Sequence, residues 1–301
     1  MRVLAAVVTY NRSKLLERCV DHIRLQKRVP DGVLVINNSS PDDTVDMLER
    51  KGVDYPTQAN LGGAGGFNRA IEEAVGRGYD AVWLMDDDGY PHEDALGHLV
   101  KTLENPALCC ACSLVVRENQ PTHFVWPFPI LDEEGLPVVL ARKRKMGTVE
   151  ELRAAVKSDT YPFAHLFNGT LLRTSAVPRV GTVDTRFFIM GDELDFLMRL
   201  IREHSVVSHL GAFHLHPDVG GRPLDARKFY YYVKNTIVVN NRYANKAPLR
   251  NLMAVLAALG RTAVRNSPWE ALSYVAGKRA PVLWRAVGRG IRGQIGNDFN
   301  A

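Results

Sequence analysis

Short apolar runs alternate with helical patterns through the first hundred residues, and this alternation limits the folds open to the chain. The apolar runs cover residues 3–8, 33–36, 53–56 and 81–85. Helical patterns follow them at about residues 13–25, after Ser40-Pro41-Asp42-Asp43, and at about residues 66–77. Strands separated by helices predict an α/β fold, with a mostly parallel central sheet and helices on both faces.

The sequence Ser40-Pro41-Asp42-Asp43 predicts where the second helix begins. Serine is a common helix cap, and proline fits the first helical position. Acids in the first turn complement the helix dipole. From about residue 249 the pattern is helical again, so the chain is predicted to end in helices.

Positive charge is concentrated toward the end of the chain. From residue 236 onward there are ten Lys/Arg against two acids, a balance of +8, so the rest of this +5 chain carries −3. Arg285, Arg289 and Arg292 lie beside an apolar stripe, which is typical of a helix on a membrane surface. Packing of that helix on the body, with solvated arginines, explains the pattern equally well. The acidic body argues against nucleic acid as a partner, and the basic end favours an anionic surface.

Several features predict a cytoplasmic protein. The sequence has no run of about 18 apolar residues that could span a bilayer. The apolar start runs directly into Thr9-Tyr10-Asn11-Arg12 without a small-residue cleavage site, which indicates a first strand and not a signal peptide. The four cysteines are predicted to be buried thiols in a reducing compartment. The basic end would then touch the inner face of the membrane, or pack against a second copy in a homo-oligomer.

Polar clusters follow each apolar run of the first hundred residues. They are Thr9-Tyr10-Asn11-Arg12, Asn37-Asn38-Ser39-Ser40, the glycine-rich stretch 60–66, and Asp86-Asp87-Asp88. In open α/β sheets, ligands bind beyond the carboxyl ends of the strands. The four clusters therefore predict one binding site at a single rim of the sheet.

The three aspartates at the end of the fourth run indicate a metal site. On an extended backbone, Asp86 and Asp88 would point the same way while Asp87 faces elsewhere. Two carboxylates on one side suit Mg²⁺ or Mn²⁺, particularly an ion shared with phosphates. A solvated acidic turn is the alternative. Alternation also puts His214 and His216 on one side, and either imidazole could complete the metal shell or be structural.

The glycine-rich stretch does not fit a dinucleotide-binding fingerprint. Gly63 and Gly65 could begin one, but Asn68 occupies the third glycine position, and the stretch follows the third run instead of the first. Its backbone amides could still approach a diphosphate at a helix start, although a flexible turn is equally compatible with the sequence.

Three later segments carry further candidate groups. Asp192 and Glu193 open a predicted helix, where they could serve as cap and dipole partners or supply a general base. The segment 228–235 predicts a helix with an aromatic face, or a cationic and aromatic surface for an acceptor or phosphate. The segment 120–129, rich in proline and aromatic residues, is interpreted as an ordered loop.

Taken together, these motifs resemble the large inverting nucleotide-sugar glycosyltransferase family with the GT-A fold. The resemblance is carried by residues 7–12, 36–44, 60–68, 83–88, 167–173 and 191–199, in that order. It covers about residues 1–240, which leaves 241–301 as a basic, amphipathic helical extension. Residues 60–68 and 211–216 are most similar to bacterial galactofuranosyltransferases of cell-wall assembly. Residues 231–235 are also similar, with Lys234 in place of an arginine.

The resemblance implies roles for individual residues. Asp86, Asp88 and His216 would hold Mn²⁺ or Mg²⁺ on the donor diphosphate. The base would be Glu193, which lies at the family's second acidic position, or its neighbour Asp192. The remaining donor-site positions would bind the nucleotide and its diphosphate: Thr9, Asn11, Arg12, Asn38, Asn60, Gly62, Gly63, Asp86 and Asp87.

The resemblance also implies a reaction. The expected donor is UDP-galactofuranose, the expected acceptor is a polyprenyl-linked glycan, and transfer would invert the anomeric carbon. A rhamnosyltransferase that uses dTDP-rhamnose is an alternative. A sugar nucleotidyltransferase and a non-catalytic nucleotide-sugar-binding protein are two further alternatives.

Overall fold

The computed structural model describes residues 1–203 and 205–299, so residues 300 and 301 of the predicted extension lie outside the described part. The strands of that part are β1 Val3–Thr9, β2 Gly32–Asn37, β3 Ala81–Asp86, β4 Tyr90–Pro91, β5 Leu108–Arg117, β6 Gln120–Pro129, β7 Lys145–Thr148, β8 Thr160–Tyr161, β9 Asn168–Arg173 and β10 Ser205–His216. The helices are α1 Ser13–Arg24, α2 Thr44–Lys51, α3 Gly62–Gly76, α4 Ala95–Thr102, α5 Val149–Ala155, α6 Val177–Val180, α7 Asp192–Glu203, α8 Ala226–Tyr243, α9 Ala247–Arg265, α10 Pro268–Ala276 and α11 Ala280–Ile291.

One open sheet, with the strand order β2-β1-β3-β9-β5-β10-β4, forms the centre of the fold. β1 pairs in parallel with β2 and β3, and β5 pairs in parallel with β10. β9 runs antiparallel between β3 and β5. The predicted α/β class is confirmed, but the sheet is mixed, because β4, β6 and β8 also join it in antiparallel pairings.

The alternation of side chains along the strands explains the two cores. On β1, Leu4, Ala6 and Val8 face a core that includes α3 and α7. The intervening residues of β1, beginning with Val3, face a second core that includes α1, α2 and α4. Every residue of β1 is buried, as expected for a strand that is covered on both faces.

Three local predictions need correction. The second helix begins at Thr44 and not at Ser40, because Ser40 and Asp42 instead accept backbone N–H groups from Asn11 and Ser13. α3 begins at Gly62, so the first glycines form its first turn and are not a loop. The predicted aromatic loop at 120–129 is strand β6.

One further segment of the first hundred residues and the thiols follow the prediction more closely. The predicted third strand is a short edge segment, held beside β2 by two isolated parallel bridges. All four cysteines, which are Cys19, Cys109, Cys110 and Cys112, are buried and free, as predicted.

Helices α8 to α11 form a third core around Phe229, Tyr230 and Tyr274. Proline stands in the first turn of α9, α10 and α11, where no hydrogen-bonding N–H is needed. The domain boundary predicted at residue 240 lies inside α8 and stays a prediction. None of the described helices is both long and apolar enough to cross a bilayer.

Candidate active site

The aspartate triplet lies where β3 leaves the sheet. β3 ends at Asp86, and Asp87 and Asp88 form a turn. The prediction that Asp86 and Asp88 point the same way assumed an extended backbone through all three residues, and that assumption is wrong. In the turn, the carboxylates of Asp87 and Asp88 share Arg12 as a partner, and each also has partners of its own.

Asp87 is buried and organises the end of β1. Its carboxylate accepts hydrogen bonds from the Thr9 hydroxyl at 2.7 Å, the Tyr10 amide at 3.3 Å and Arg12 Nη1 at 2.9 Å. Burial raises its pKa, and the charge of Arg12 opposes that rise. Three predicted nucleotide-side residues, Thr9, Arg12 and Asp87, are therefore joined in one network. Asn11 is exposed beside it and adopts a left-handed φ of 57°.

Asp88 connects this network to the end of β10. One carboxylate oxygen lies 2.9 Å from Arg12 Nη1, and the other lies 3.0 Å from His216 Nε2. Although burial acts to raise the pKa of Asp88, the hydrogen bond and charge of His216 and the charge of Arg12 hold it near 2. Residues 88 and 216, far apart in sequence, thus meet at one point of the rim.

The two candidate histidines have different surroundings. His216 reaches Asp88, and its other ring nitrogen, Nδ1, lies 2.7 Å from the Pro217 carbonyl oxygen. His214 is fully buried behind Gly89, where burial lowers its pKa to about 3. Neither ring nitrogen of His214 has a hydrogen-bond partner within the described residues. Of the two histidines, His216 is the one that lies beside Asp88, where both side chains would bind the same metal ion.

A cavity of about 310 Å³ opens beside the triplet. Its walls include two glycines at the start of α3, an aromatic ring of β6 and three carboxylates: Gly62, Gly63, Trp126, Asp86, Asp192 and Glu193. The cavity therefore unites the ends of β3 and β6 with the first turns of α3 and α7. It brings together predicted donor-side and catalytic residues that lie about a hundred positions apart in sequence.

Asp192 and Glu193 open α7, as predicted. Glu193 Oε1 accepts the Leu166 amide at 2.7 Å, and His165 Nδ1 lies 4.0 Å away. Burial in the cavity wall, with repulsion from Asp192, raises the pKa of Glu193 to about 8. Burial also raises the pKa of Asp192, although hydrogen bonds from nearby backbone amides act to lower that pKa. Both carboxylates thus have the raised pKa expected of a general base, and the choice between them stays open.

The residues near Asp88 fit a divalent ion. The 3.0 Å between Asp88 Oδ1 and His216 Nε2 matches two ligands of one octahedral ion, each about 2.1 Å from it. Nδ1 of His216 faces the Pro217 carbonyl oxygen, so it can carry the N–H while Nε2 binds a cation beside Asp88.

Asp86 is the third predicted ligand. Its pKa lies well above the usual range because of burial and repulsion from Asp88 and Asp87, an arrangement that a cation would relieve. Within the described residues, no three His, Cys, Asp or Glu side chains are grouped to hold a metal. Of the three predicted ligands, the structure brings Asp88 and His216 into contact. That the three residues hold a metal stays a prediction.

The first turn of α3 forms the donor side of the cavity. Its N-cap residue makes no side-chain hydrogen bond, so the amides that follow Gly62, beginning with that of Gly63, are available to an anion. Gly62 has a φ of 74°, and an added Cβ there would overlap the Phe188 carbonyl oxygen. The Asn60 side chain accepts the Gly62 backbone N–H at 3.0 Å, and the side-chain Nδ2 of Asn38 donates to the Gly62 carbonyl oxygen at 3.4 Å. These predicted donor residues shape the helix start together.

The cavity loop, residues 187–191, leads into α7 and passes the start of α3, where the Phe188 carbonyl oxygen lies beside Gly62. Phe188 and Met190 have φ values of 57° and 60°, which is unusual for such large side chains. The side-chain amide of Asn235 donates to the carbonyl oxygens of Ile189 at 3.1 Å and Met190 at 2.6 Å. A strained segment next to the candidate catalytic carboxylates is typical of a site where function requires the conformation.

Two features of the site were missed from the sequence. Trp126 lies in a segment interpreted as a loop, yet its ring packs at 5.1 Å against His216 and lines the cavity. Asn235 was noted only as part of a motif, and nothing local in the sequence reveals its contact with the cavity loop. The segment 228–235 is a helix with an aromatic face, and Lys234 is buried in an ion pair instead of facing a ligand.

The chain is similar in sequence to known proteins. Residues 5–164 match the family described as Glycosyl transferase family 2. The chain is 34% identical over 223 residues to galactofuranosyltransferase GlfT1 of Mycobacterium tuberculosis (strain CDC 1551 / Oshkosh), covering 71% of this chain and 70% of that one.

Solved structures share the fold at low identity. GalNAc-T7 with UDP, GalNAc and Mn²⁺ superposes with a TM-score of 0.62 and 10% identity, covering 93% of this chain and 57% of that chain. The mannosyltransferase PcManGT from Pyrobaculum calidifontis, in complex with GDP-Man and Mn²⁺, gives a TM-score of 0.53 and 18% identity, covering 95% and 79%. These likenesses confirm the predicted GT-A architecture.

Proposed function

The chain belongs to glycosyl transferase family 2, and from that premise we propose that it transfers galactofuranose from UDP-galactofuranose to a polyprenyl-linked glycan, with inversion and with the help of a divalent metal. The observation that carries the proposal is the cavity in which Asp86, Asp192 and Glu193 face the start of α3. The similarity to galactofuranosyltransferase GlfT1 supports the choice of sugar.

The donor would bind along the rim of the sheet. The first turn of α3 offers the backbone amides that follow Gly62, beginning with that of Gly63, to the diphosphate. A bound Mn²⁺ or Mg²⁺, held by Asp86, Asp88 and His216, would offset the charge that develops on the leaving UDP. Both solved structures described above hold a nucleotide or nucleotide sugar and Mn²⁺, which supports this expectation.

Transfer would proceed as a single displacement. An acceptor hydroxyl oxygen attacks the anomeric carbon from the face opposite UDP, the carbon–oxygen bond to UDP breaks, and the configuration inverts. Glu193 or Asp192 takes the proton from the hydroxyl as it attacks. Their raised pKa values make each a stronger base than an ordinary carboxylate. One base beyond the metal ligands is sufficient for this reaction.

The helical extension would bring the enzyme to its lipid-linked acceptor. Trp269, Leu272 and Val275 recur every three residues along α10 and are all exposed, with Trp269 at 80%. Lys278 is exposed next to them. Exposed apolar side chains beside a positive charge favour the interface of an anionic bilayer. We therefore place the peripheral contact on α10, because Arg289 of the predicted basic helix α11 is engaged by Asp298.

Transfer can be tested with purified protein, Mn²⁺, and a synthetic polyprenyl-diphosphate-linked acceptor. UDP-galactofuranose and dTDP-rhamnose are supplied in parallel, and products are read by mass spectrometry. The proposal expects a hexose added from the UDP donor and release of UDP. A product formed only from dTDP-rhamnose would indicate a rhamnosyltransferase. Pyrophosphate released in a parallel reaction with a nucleoside triphosphate and a sugar phosphate would indicate a nucleotidyltransferase. Binding of UDP without any turnover would indicate a non-catalytic protein.

Membrane contact has its own test. Sedimentation with anionic vesicles compares the wild type with Trp269→Ser and with Trp284→Ser, a matched change at an exposed tryptophan of α11. The proposal expects the first substitution to weaken binding at least threefold and the second to change it less. Equal binding by all three proteins would remove α10 from the contact.

A further inference from the structure

Residues 296–299, called the tail segment below, fold back onto α8. The Asp298 carboxylate is almost fully buried and has three partners. Lys234 Nζ lies 2.6 Å from it, the Tyr230 hydroxyl donates to it at 2.7 Å, and Arg289 Nη2 lies 2.7 Å from its second oxygen. One carboxylate thus joins the end of the described chain to both α8 and α11.

The remaining contacts of the tail segment also go to α8. The Tyr231 hydroxyl donates to the Asn297 side chain at 2.8 Å and accepts the Asp298 amide at 2.8 Å. The Phe299 ring lies 5.1 Å from the ring of Tyr230, edge to face. The segment therefore covers the motif at 230–235 with hydrogen bonds, an ion pair and aromatic contact.

Lys234 makes the tail segment necessary for a stable α8. Its side chain is 0% exposed, and Asp298 is its one carboxylate partner within the described residues. A buried ammonium without a partner is strongly unfavourable. The second contact of Lys234, the Gly296 carbonyl oxygen at 2.9 Å, comes from the tail segment as well. Without this segment, the helix would have to move in order to bring Lys234 to water.

The residue after Lys234 holds the cavity loop. The Asn235 side-chain amide donates to Ile189 and Met190, and its Cβ would lie 2.7 Å from a Cβ added at Gly191. The left-handed φ values of Phe188 and Met190 are unfavourable for such residues, so the surroundings must impose them. Any shift of α8 at this point is transmitted to a loop that is strained and tightly packed.

The same loop leads directly into the candidate base. Phe188, Ile189 and Met190 line the cavity, and Asp192 and Glu193 follow them. The contacts form a chain of neighbours from the tail segment to Lys234 and Asn235, then to the loop and the first turn of α7. Each step is a hydrogen bond, an ion pair or a peptide bond.

We propose that Asp298 is a positioning residue: by holding Lys234, it fixes Asn235 and hence the cavity loop in the conformation that places the catalytic carboxylate. The inference rests on the proposed transferase function. Asp298 itself lies in the third core with α8 and α11 and is not a wall of the cavity.

The first test follows the loop itself and needs no activity. Hydrogen exchange of a peptide covering residues 187–193 is compared between the wild type, Asp298→Asn and Asp43→Asn. Asp43 is exposed and makes no side-chain cap bond, so it controls for the chemical change. We expect faster exchange of this peptide, by about tenfold, only in Asp298→Asn. Exchange at the wild-type rate would overturn the proposal.

The second test measures positioning in catalysis. Asp298→Asn should lower kcat about tenfold, because small misplacements of a catalytic group are costly, while KM for the donor and the stoichiometry of UDP binding change less than twofold. Asp298→Glu should recover part of the rate. A role limited to folding would instead reduce the stoichiometry of UDP binding together with kcat, and that result would refute the proposal.

A double-mutant cycle tests the route through Asn235. If Asp298 acts through Asn235, the double variant Asn235→Ala/Asp298→Asn should be no slower than Asn235→Ala alone. Effects that multiply would contradict this route. Should Asp298→Asn fail to fold, Tyr231→Phe removes two hydrogen bonds to the tail segment while leaving the ion pair. We then expect a threefold fall in kcat, and an unchanged kcat would refute the proposal.

The outcomes separate the two proposals. A wild-type protein that shows no transfer, but whose loop exchanges faster in Asp298→Asn, would retain the coupling and reject the proposed function. An active wild type, with loop exchange and kcat unchanged in Asp298→Asn, would retain the proposed function and reject the coupling.

Discussion

Replacing Glu193 by glutamine should lower activity and raise stability at the same time. The pKa of Glu193 is raised from 4.5 to about 8 by burial and by Asp192. Because the folded state binds this proton more tightly than the unfolded state, the carboxylate costs stability as pH rises from about 4.5 to about 8. Below pH 4.5 the group is protonated in both states, and the cost is absent.

The size of the stabilisation follows from the shift and the exposure. A fully buried group with this shift would cost roughly 5 kcal/mol above pH 8, at about 1.4 kcal/mol per pKa unit. Since 44% of the Glu193 side chain is accessible, water screens most of that cost, and about 1.5 kcal/mol is a reasonable expectation. For a chain of 301 residues this corresponds to a rise in Tm of roughly 3 °C.

The assay pairs thermal unfolding with turnover. Glu193→Gln should unfold about 3 °C above the wild type at pH 8.5 and at the same temperature at pH 4. If Glu193 is the base, kcat should fall by about 10²–10⁴. Glu72→Gln on α3, an exposed glutamate, is the matched control and should change neither quantity. Asp192→Asn is measured in parallel, because Asp192 is the other candidate base.

Three results would contradict the expected behaviour of Glu193. Equal Tm values at pH 8.5 would show that Glu193 is not destabilised by its surroundings. Wild-type turnover in Glu193→Gln, with a large loss in Asp192→Asn, would move the base to Asp192. Wild-type turnover in both variants would remove both residues from the chemistry.

Further predictions concern pH, metal and the helix start. The transfer rate should rise about 50-fold between pH 6 and pH 8 if Glu193 is the base, since a carboxylate with a pKa of about 8 is mostly protonated at pH 6; a flat profile would contradict this. His216→Ala should weaken Mn²⁺-dependent UDP binding at least tenfold in calorimetry, with no change when EDTA is present, whereas equal loss in EDTA would indicate a structural role. Gly62→Ala should lower kcat about tenfold because its methyl group meets the Phe188 carbonyl; Gly76→Ala, on the same helix with open space around it, should leave kcat unchanged.

The parts of the fold that were predictable from sequence depend on local periodicity. Buried runs such as residues 81–85 read directly as strands, and the polar residues after them were placed on one rim because parallel strands share a direction. That reasoning located Thr9, Asn38 and the aspartate triplet correctly around one region. It did not give the orientation of Asp88, because the local turn replaces the alternation of a strand.

The parts that were not predictable depend on distant contacts. Nothing near Asn235 in sequence shows that its amide binds residues 189 and 190, which lie about 45 positions earlier. The segment 228–235 was considered as a surface for an acceptor or phosphate, but a carboxylate 64 positions after Lys234 pairs with that side chain. Trp126 was assigned to a loop, since prolines on both sides reduce the strand signal, yet β6 tolerates them because its pairing with β5 and β7 is sparse and irregular.

The reversed direction of β9 has a consequence for how such enzymes can diversify. Because β9 runs against β3, Asn168 at its start lies opposite Met85, directly before the aspartate triplet. One cavity wall is therefore encoded within the first ninety residues, and the facing wall within residues 126–193. Sequence drift or recombination in the second stretch can reshape what enters beside Glu193 without disturbing Thr9, Asp87 or Asp88. New acceptor preferences could thus evolve on an inherited donor half.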